Sequence, residues 1–554
     1  MCVHRILIAA AFVCSALLPN RIISANSEVD IGVLTPFYRH MQLQGHVIGL
    51  GLMELPEYVE APDIDFPYKK KLGMSREVPF VDSFTINRFL GGYPEEWLRK
   101  FNLWDDQLGR RSLDYVIRKG DGTFEYRPEL IKRRLTPYLE AGYSPDKITI
   151  ALENVPWDLA ASPQAGNWGQ HQPPADLKEW RQVISHFAGD LKDYLGNASS
   201  TISFKTGVEF DQKESFNGTS EQFYAYYSAT SDALHLVLPN ALLTPGEFTR
   251  GGACPPRQAT CVYDTREFLR FASAHHLEIP DVPRSLNAFM NNGDPMPSTA
   301  VTRAIESYSR LPSGTIPEVH QFGLMYEPFG KQDGSDPAVL RANFEFQALM
   351  GLWERLKPRR VFHWGGFVEV GKLNFLNGSG FLRLILDHYL GFHAYRLIPV
   401  ELERSGTSAP IELMAINFRN SATSAVMISS FSPTTSFGKR RIKVELPGTF
   451  HGQSVKTIRF RESDNVFLAI RRDLGTENNL RREFANCSSC LGPPVSMAVD
   501  VNIARTMLQK NWPKYEAIMK RDLKWNMHDD NVVVNGNLLV VGLEYNEFMV
   551  VEPQ

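Results

Sequence analysis

Residues 201–237 read TISFKTGVEFDQKESFNGTSEQFYAYYSATSDALHLV. The opening TISFKTGVEF (201–210) is a short, largely apolar run of the kind that forms a buried strand. In SEQFYAYYSATSDALHLV (220–237) the apolar residues recur every three or four positions, which predicts an amphipathic helix. The polar DQKESFNGT between them is the connecting loop, and Glu209 stands where strand gives way to loop. Strand, loop and helix in succession make one βα unit.

The same alternation extends from about residue 30 to 390. Further strand-like runs are VDSFTINRFL (81–90), KITIALENV (147–155) and RRVFHWGGF (359–367). Further helical stretches are RPELIKRRLTPYLEAGY (127–143) and DLKEWRQVISHFAGDLKDYLG (176–196). Repeated βα units over this length predict an α/β domain, a (β/α)8 TIM barrel with insertions across residues 30–395. The alternative is an open doubly wound sheet. Against it, no GxGxxG turn or P-loop follows any strand.

The pattern changes after about residue 395. IELMAINFR (411–419), AVMISSF (425–431) and RRIKVEL (440–446) are strand-like, and VVVNGNLLVVGLEY (532–545) carries an Asn-Gly hairpin signal. These predict a β-sandwich accessory domain over residues 396–554. NIARTMLQKNWPKYEAIMKRD (502–522) interrupts it as a helix expected to break or kink at Pro513. No long low-complexity linker separates the halves, so they are expected to pack together.

The chain has 554 residues, 43% hydrophobic and 22% charged, with a formal net charge of -3. That composition supports a large buried core. The near-neutral balance gives no electrostatic reason to expect nucleic acid or an acidic membrane surface as partner. At the N-terminus, His4 and Arg5 precede the apolar run Ile6–Leu18, and the small Ser24 and Ala25 follow. This reads as a signal peptide over residues 1–25, implying a secreted or periplasmic protein; a retained anchor is the alternative. The run is too short for an ordinary membrane-spanning helix.

Cys2 and Cys14 would leave with that segment. Cys254, Cys261, Cys487 and Cys490 remain, and local disulfides Cys254–Cys261 and Cys487–Cys490 are the simplest pairing. A redox-active CSSC and a four-thiol zinc site are the other readings. Glycosylation sequons occur at Asn197, Asn217, Asn377 and Asn486.

An acid at a strand's carboxyl end in such a domain is a candidate catalytic group. Retaining glycoside hydrolysis needs two carboxyl groups about 5–5.5 Å apart, one to protonate the leaving oxygen and one to attack the anomeric carbon. In a barrel they sit at the carboxyl ends of different strands. GVEFD, the helix with Phe223, Tyr227 and Ala233-Leu234, and the following Leu-Pro-Asn together resemble glycoside hydrolase family 39 of clan A. That family has W-N-E-P at its fourth strand. The resemblance implies that Glu209 is the acid/base; Val208 replaces the family's preceding asparagine.

ALENVPWDLA and NWGQHQPPADLKEWRQVISHF are similar to the family's third-strand region, which implies that Trp157, Trp168 and His171 line the mouth and contact sugar. Ser285-Leu286-Asn287-Ala288-Phe289 matches the sixth strand, with Asn287 and Phe289 in place of His and Tyr. IPEVHQFGLMYEPFG matches the seventh strand and puts Gln321 where the nucleophile belongs. An amide cannot form a glycosyl ester, so the expectation moves to Glu327, with Glu318 as a lesser choice. Trp364 in VFHWGG is similar to the eighth-strand aromatic.

The resemblance covers about residues 80–390 and implies a glycosidase acting on an oligo- or polysaccharide without a cofactor or metal. The rival class is a barrel that binds glycans without cleaving them. A metallohydrolase is disfavoured because adjacent His275 and His276 point apart on a helix and no HExxH occurs. No GxSxG elbow supports a serine hydrolase.

Overall fold

The computed structural model describes most of residues 28–43, 82–248, 265–325, 337–364, 368–369, 375–466 and 501–554. Residues 1–25, Cys254, Cys261, Cys487, Cys490, Trp168 and Glu327 lie outside the described residues, and with them the expected signal peptide and disulfides.

Eight short strands form one sheet: β1 (His40–Leu43), β2 (Phe84–Ile86), β3 (Ile148–Ala151), β4 (Ser203–Lys205), β5 (Leu242–Thr244), β6 (Val282–Phe289), β7 (Pro317–Met325) and β8 (Val361–Trp364). Every pairing recorded among them is parallel. Their order is β5-β4-β3-β2-β1-β8-β7-β6. The eighth strand therefore lies beside the first, a neighbour relation that a doubly wound sheet with a reversal of strand order lacks.

These strands are buried on both faces, one of them apolar and the other carrying buried polar residues such as Thr85, Thr149 and Lys205. Phe84, Ile86, Ile148, Ile150, Phe204 and Val361 are all buried, as expected where helices cover a parallel sheet. The strands are shorter than the apolar runs that predicted them, because the ends of those runs bend into loops. The helices are α1 (Glu95–Lys100), α2 (Pro128–Glu140), α3 (Leu177–Leu195), α4 (Ser220–Val237), α5 (Thr265–Ala274), α6 (Pro297–Ser309), α7 (Pro337–Arg355) and α8 (Gly378–His388).

The cause of each helix is visible in its residues. In α3, Trp180, Val183, Ile184, Phe187 and Leu191 form a buried stripe at helical spacing. Asp176 caps its first turn by accepting from the Lys178 N–H, and Gly196 follows its last residue at φ 60°. α4 starts in a reciprocal capping box between Thr219 and Gln222. The Trp180 indole N–H donates to Thr230, at 2.9 Å, and ties α3 to α4.

The remainder is antiparallel. The N-terminal strand Val29–Val33 pairs with β9 (His393–Leu397). Beyond β9 lie β11 (Glu412–Arg419), β12 (Ser424–Phe431), β17 (Glu547–Pro553) and β14 (Val455–Arg461). A second sheet runs β10 (Val400–Ser405), β13 (Lys439–Glu445), β16 (Leu538–Glu544) and β15 (Val532–Asn535). Val426 and Met549 of the first sheet and Ile442 and Val541 of the second belong to one apolar cluster. The hairpin signal at residues 535–536 is realised as a two-residue turn between β15 and β16, with Gly536 at φ 63°.

α9 (Val501–Asp522) continues through Pro513 as one helix and not as two, a correction to the expected break. The two halves pack directly. Gln347 on α7 donates to the Ser429 carbonyl on β12, Phe346 meets Phe548 edge-on at 5.1 Å, and Phe381 stacks on Phe460 at 4.3 Å. No helix of the described residues is long and apolar enough to cross a membrane.

Candidate active site at the strand carboxyl ends

Six non-glycine residues among those described have left-handed backbone, with φ from 48° to 55°. His276 and Lys357 simply follow the ends of α5 and α7, where a left-handed residue terminates a helix. The other four are Arg88, Asn154, Glu209 and Gln321. Arg88, Asn154 and Glu209 lie just beyond β2, β3 and β4, and Gln321 lies inside β7. Each such residue costs on the order of 1–2 kcal/mol unless its surroundings hold it, and such strain gathers at functional sites.

Gln321 owes its conformation to a β-bulge. On one side Ser285 pairs with His320 and Asn287 with Gly323, so Gln321 and Phe322 together oppose Leu286. On the other side Val319 pairs with Val361 and Phe322 with His363, so His320 and Gln321 oppose Phe362. The extra residue common to both ladders is Gln321. A bulge re-aims a side chain and bends its strand. Gln321 is buried, and β7 continues beyond it to Met325.

Glu209 is held by its loop. The Thr206 N–H donates to the Thr244 carbonyl at 3.0 Å, and its hydroxyl donates to the Pro245 carbonyl at 2.6 Å. Gly246, at φ 95°, touches the Gly207 backbone so closely that a Cβ would overlap it. The loop after β4 is thus pressed against the loop after β5. Phe210 and Phe216 stack on each other at 5.3 Å and pack against Phe223 of α4. Glu209 itself is half-buried, and Gln212 donates to its Oε2 at 3.2 Å.

Beneath this loop runs a chain of buried charge. Lys205, the last residue of β4, pairs with Glu247 at 2.6 Å, and both side chains are 0% exposed. The His320 ring lies 3.2 Å from Glu247 through Nδ1 and 2.7 Å from Glu318 through Nε2. Glu318 ends the chain on Arg360 and Arg359. Burial acts to raise the Glu247 carboxyl, but the Lys205 charge and the His320 contact overcome it and hold the carboxyl at about 2. Burial likewise opposes ionisation of Glu318, and Arg360 holds it well below the carboxylate range. The Oε2 of Glu247 is buried without a hydrogen-bond partner among the described residues.

A second pair closes the strand-two side. The Arg88 N–H donates to Glu153 Oε1 at 3.0 Å, and burial raises the Glu153 carboxyl against the pull of Arg88 and Lys205. The set joins an acid with a partly buried environment, a fixed anion, cations and an amide on neighbouring strand ends. Of these groups Glu209 is the partly exposed acid, able to exchange a proton with a bound molecule, and the buried charges fix the backbone around it.

The residues proposed from sequence fall as follows. Glu209 lies in the loop after β4, and Gln321 lies inside β7. His171 is half-buried, and its carbonyl accepts from the Asn217 N–H at 2.7 Å, joining its loop to that of Glu209. Trp157 is 2% exposed; its indole donates to the Tyr93 carbonyl at 3.2 Å and Arg110 lies over its ring at 4.4 Å. Its faces are therefore covered by protein. Asn287 lies on β6 and Trp364 closes β8.

Sequence reasoning passed over Arg88, Glu153, Lys205, Glu247 and His320. One signal was present: Lys205 interrupts the apolar SFKT run, and a cation inside a buried strand requires a buried acid.

No family model matches the chain. A crystal structure of the glycoside hydrolase family 39 enzyme from Xanthomonas axonopodis pv. citri is similar over 94% of each chain, with 12% identity and a TM-score of 0.53. A family 51 arabinofuranosidase from the same organism aligns over 95% of this chain and 97% of its own, with 11% identity and a TM-score of 0.45. An alpha-1,4-L-rhamnosidase from Formosa agariphila is 22% identical over 271 residues, 45% of this chain and 53% of that protein. The chain thus spans about half the length of the curated relative it matches. In fold, the chain is like glycoside hydrolase family 39 of clan A.

Proposed function

We propose that this chain is a glycoside hydrolase that cleaves O-glycosidic bonds with retention, using Glu209 as acid/base. The observation that carries the reading is Glu209 itself, a left-handed, half-buried acid just beyond the fourth of eight parallel strands, in a family 39-like fold. In this reading the eight strands close as a (β/α)8 barrel. The antiparallel sheets form an accessory sandwich that recruits the N-terminal strand Val29–Val33 as well as residues 393–554. Residues 1–25 direct secretion, and Cys254–Cys261 and Cys487–Cys490 are bridged.

Glu209 gives its proton to the leaving oxygen as the carboxylate of Glu327 bonds the anomeric carbon. Water then attacks that carbon, Glu209 takes the water's proton, and the Glu327 carboxylate is released. His171, Asn287, Gln321, Trp168 and Trp364 contact the sugar in this scheme. Trp157 acts from behind, since its faces are covered.

A second reading is favoured by one observation, the amide of Gln321 at the strand-seven position: the cleft binds glycans without cleaving them. A panel of aryl glycosides, followed by trapping with fluorosugars and mass spectrometry, separates the two. Hydrolysis with a covalent label on Glu327 supports the first; a label on another acid moves the nucleophile. Glycan binding with no hydrolysis and no label establishes the second.

A further inference from the structure

We propose that Glu247 and His320 are positioning residues that tie the end of β4 to β7, and so hold Glu209 in line with the groups that β7 carries. The proposal rests on the glycosidase reading and adds to it what keeps the acid in place.

The need for such a tie follows from the sheet. Its order runs β5-β4-β3-β2-β1-β8-β7-β6, and among the described residues no ladder joins β5 to β6. Glu209 follows β4 on one side of that join, and Gln321 lies in β7 on the other. Among the described residues, backbone ladders connect β4 to β7 the long way round, through β3, β2, β1 and β8. Each ladder has its own latitude of twist, so a direct link across the join fixes what the long way round leaves loose.

One oxygen supplies the link. Glu247 Oε1 lies 2.6 Å from the ammonium of Lys205, the last residue of β4, and 3.2 Å from Nδ1 of His320 on β7. All three side chains are buried, where charges are little screened. Burial raises the Glu247 carboxyl, but Lys205 and His320 hold it at about 2, so it is an anion near neutrality.

Both ends of the link are anchored in turn. On the β4 side, Gly246 presses on the backbone of Gly207, two residues before Glu209, and Thr206 bonds the Thr244 and Pro245 carbonyls. On the β7 side, Nε2 of His320 meets Glu318 at 2.7 Å, and Glu318 meets Arg359 and Arg360. His320 also directly precedes Gln321, the extra residue of the bulge. Glu247 and His320 are too buried to touch a bound molecule, so they act through the backbone they hold.

The test uses the full-length protein and two substrates, the phenyl and 2,4-dinitrophenyl glycosides of the sugar that the aryl glycoside panel identifies. Phenoxide needs a proton to leave and dinitrophenoxide does not, so only the first depends on an aligned acid. Glu209→Gln, which removes the proton outright, sets the scale of that contrast. Glu247→Gln should lower kcat/KM by about tenfold or more on the phenyl glycoside and by less than about threefold on the other. A merely structural role lowers both alike, through the fraction of folded enzyme. The double variant Lys205→Met, Glu247→Leu removes the link without stranding the lysine charge. It should show the same selective loss, and it decides the matter if Glu247→Gln does not fold. Equal losses on both substrates, no loss in Glu247→Gln, or no selective loss in the double variant overturns the positioning role and leaves the glycosidase reading standing. No cleavage of any glycoside by the unaltered chain, or no contrast in Glu209→Gln, overturns that reading and this role with it.

Discussion

The parallel and antiparallel halves share a core but spend their residues differently. In the antiparallel half most ladders are regular: β11 and β12 pair over eight consecutive positions and β14 and β17 over seven without a register shift, while the N-terminal strand against β9 and β10 against β13 each carry one bulge near the sheet edge. No described non-glycine residue there has left-handed backbone. In the parallel half, three residues just beyond strand ends and Gln321 inside β7 are left-handed, β7 is bulged, and a chain of charge from Lys205 to Arg360 runs through the interior. Regular pairing is what packing alone produces. Departures that cost free energy and gather in one sheet, three of them just beyond its strands' carboxyl ends, point to selection for a site.

The largest effect should come from the acid. Glu209→Gln keeps size and hydrogen-bonding shape but removes the proton, and general acid catalysis is worth about 10²- to 10⁴-fold. Turnover of a competent glycoside should fall within that range while the melting temperature holds. The matched control is Glu544→Gln on β16, which should leave turnover untouched. Equal activity in both variants would erase the functional contrast between the halves.

Next is the buried charge. Lys205→Met leaves Glu247 uncompensated, and breaking a buried pair costs about 3–5 kcal/mol. Arg441→Met removes an exposed partner of Glu403 in the other half and should cost no more than about 1 kcal/mol. Denaturant titration of both measures the contrast directly. A Lys205→Met variant as stable as Arg441→Met would show that the parallel half does not rely on its interior ions.

These contrasts were unequally legible in the sequence. The alternation of strand and helix, the change of pattern after residue 395 and the strand-four position of Glu209 were readable, because periodicity records which face is buried. The N-terminal strand was not assigned to the antiparallel half, since its partner Arg396 lies hundreds of residues away and strand pairing leaves no local trace. Trp157 looked like a platform because indoles serve both cores and sugars, and only burial separates the two. The bulge at Gln321 was invisible because it is defined by two neighbouring strands, not by the residues of β7. Glu247 was missed because TPGE reads as an ordinary turn; its partners Lys205 and His320 come from β4 and β7.

pH sharpens the comparison at a smaller scale. The Glu247 carboxyl sits at about 2 in the folded chain, below its ordinary 4.5. A depressed carboxyl contributes stability that is present above the unfolded value and lost as pH falls through the folded one. Stability should therefore drop between about pH 4.5 and 2, by at most about 3 kcal/mol from this group. Glu247→Gln lowers stability near neutrality and flattens that acid limb. An unchanged acid limb in the variant would mean that other carboxyls set it.

The smallest effect tests whether the left-handed residues differ in kind. Lys357 is exposed after α7 at φ 52°, where only helix termination holds it. Glycine adopts that conformation freely, so Lys357→Gly should gain about 0.5–1 kcal/mol and leave turnover as it was. Gln321 has nearly the same φ, 48°, but it is buried in the bulge between β6 and β8. Gln321→Gly receives the same backbone relief, of about 1 kcal/mol, and loses a buried amide with its contacts. Its net stability should gain less than that of Lys357→Gly, and its turnover or glycan affinity should fall. If Gln321→Gly were instead the more stable of the two and fully functional, the bulge would be an accident of packing. The strain on β7 would then mean no more than the strain at a helix end, and the functional reading would rest on Glu209 alone.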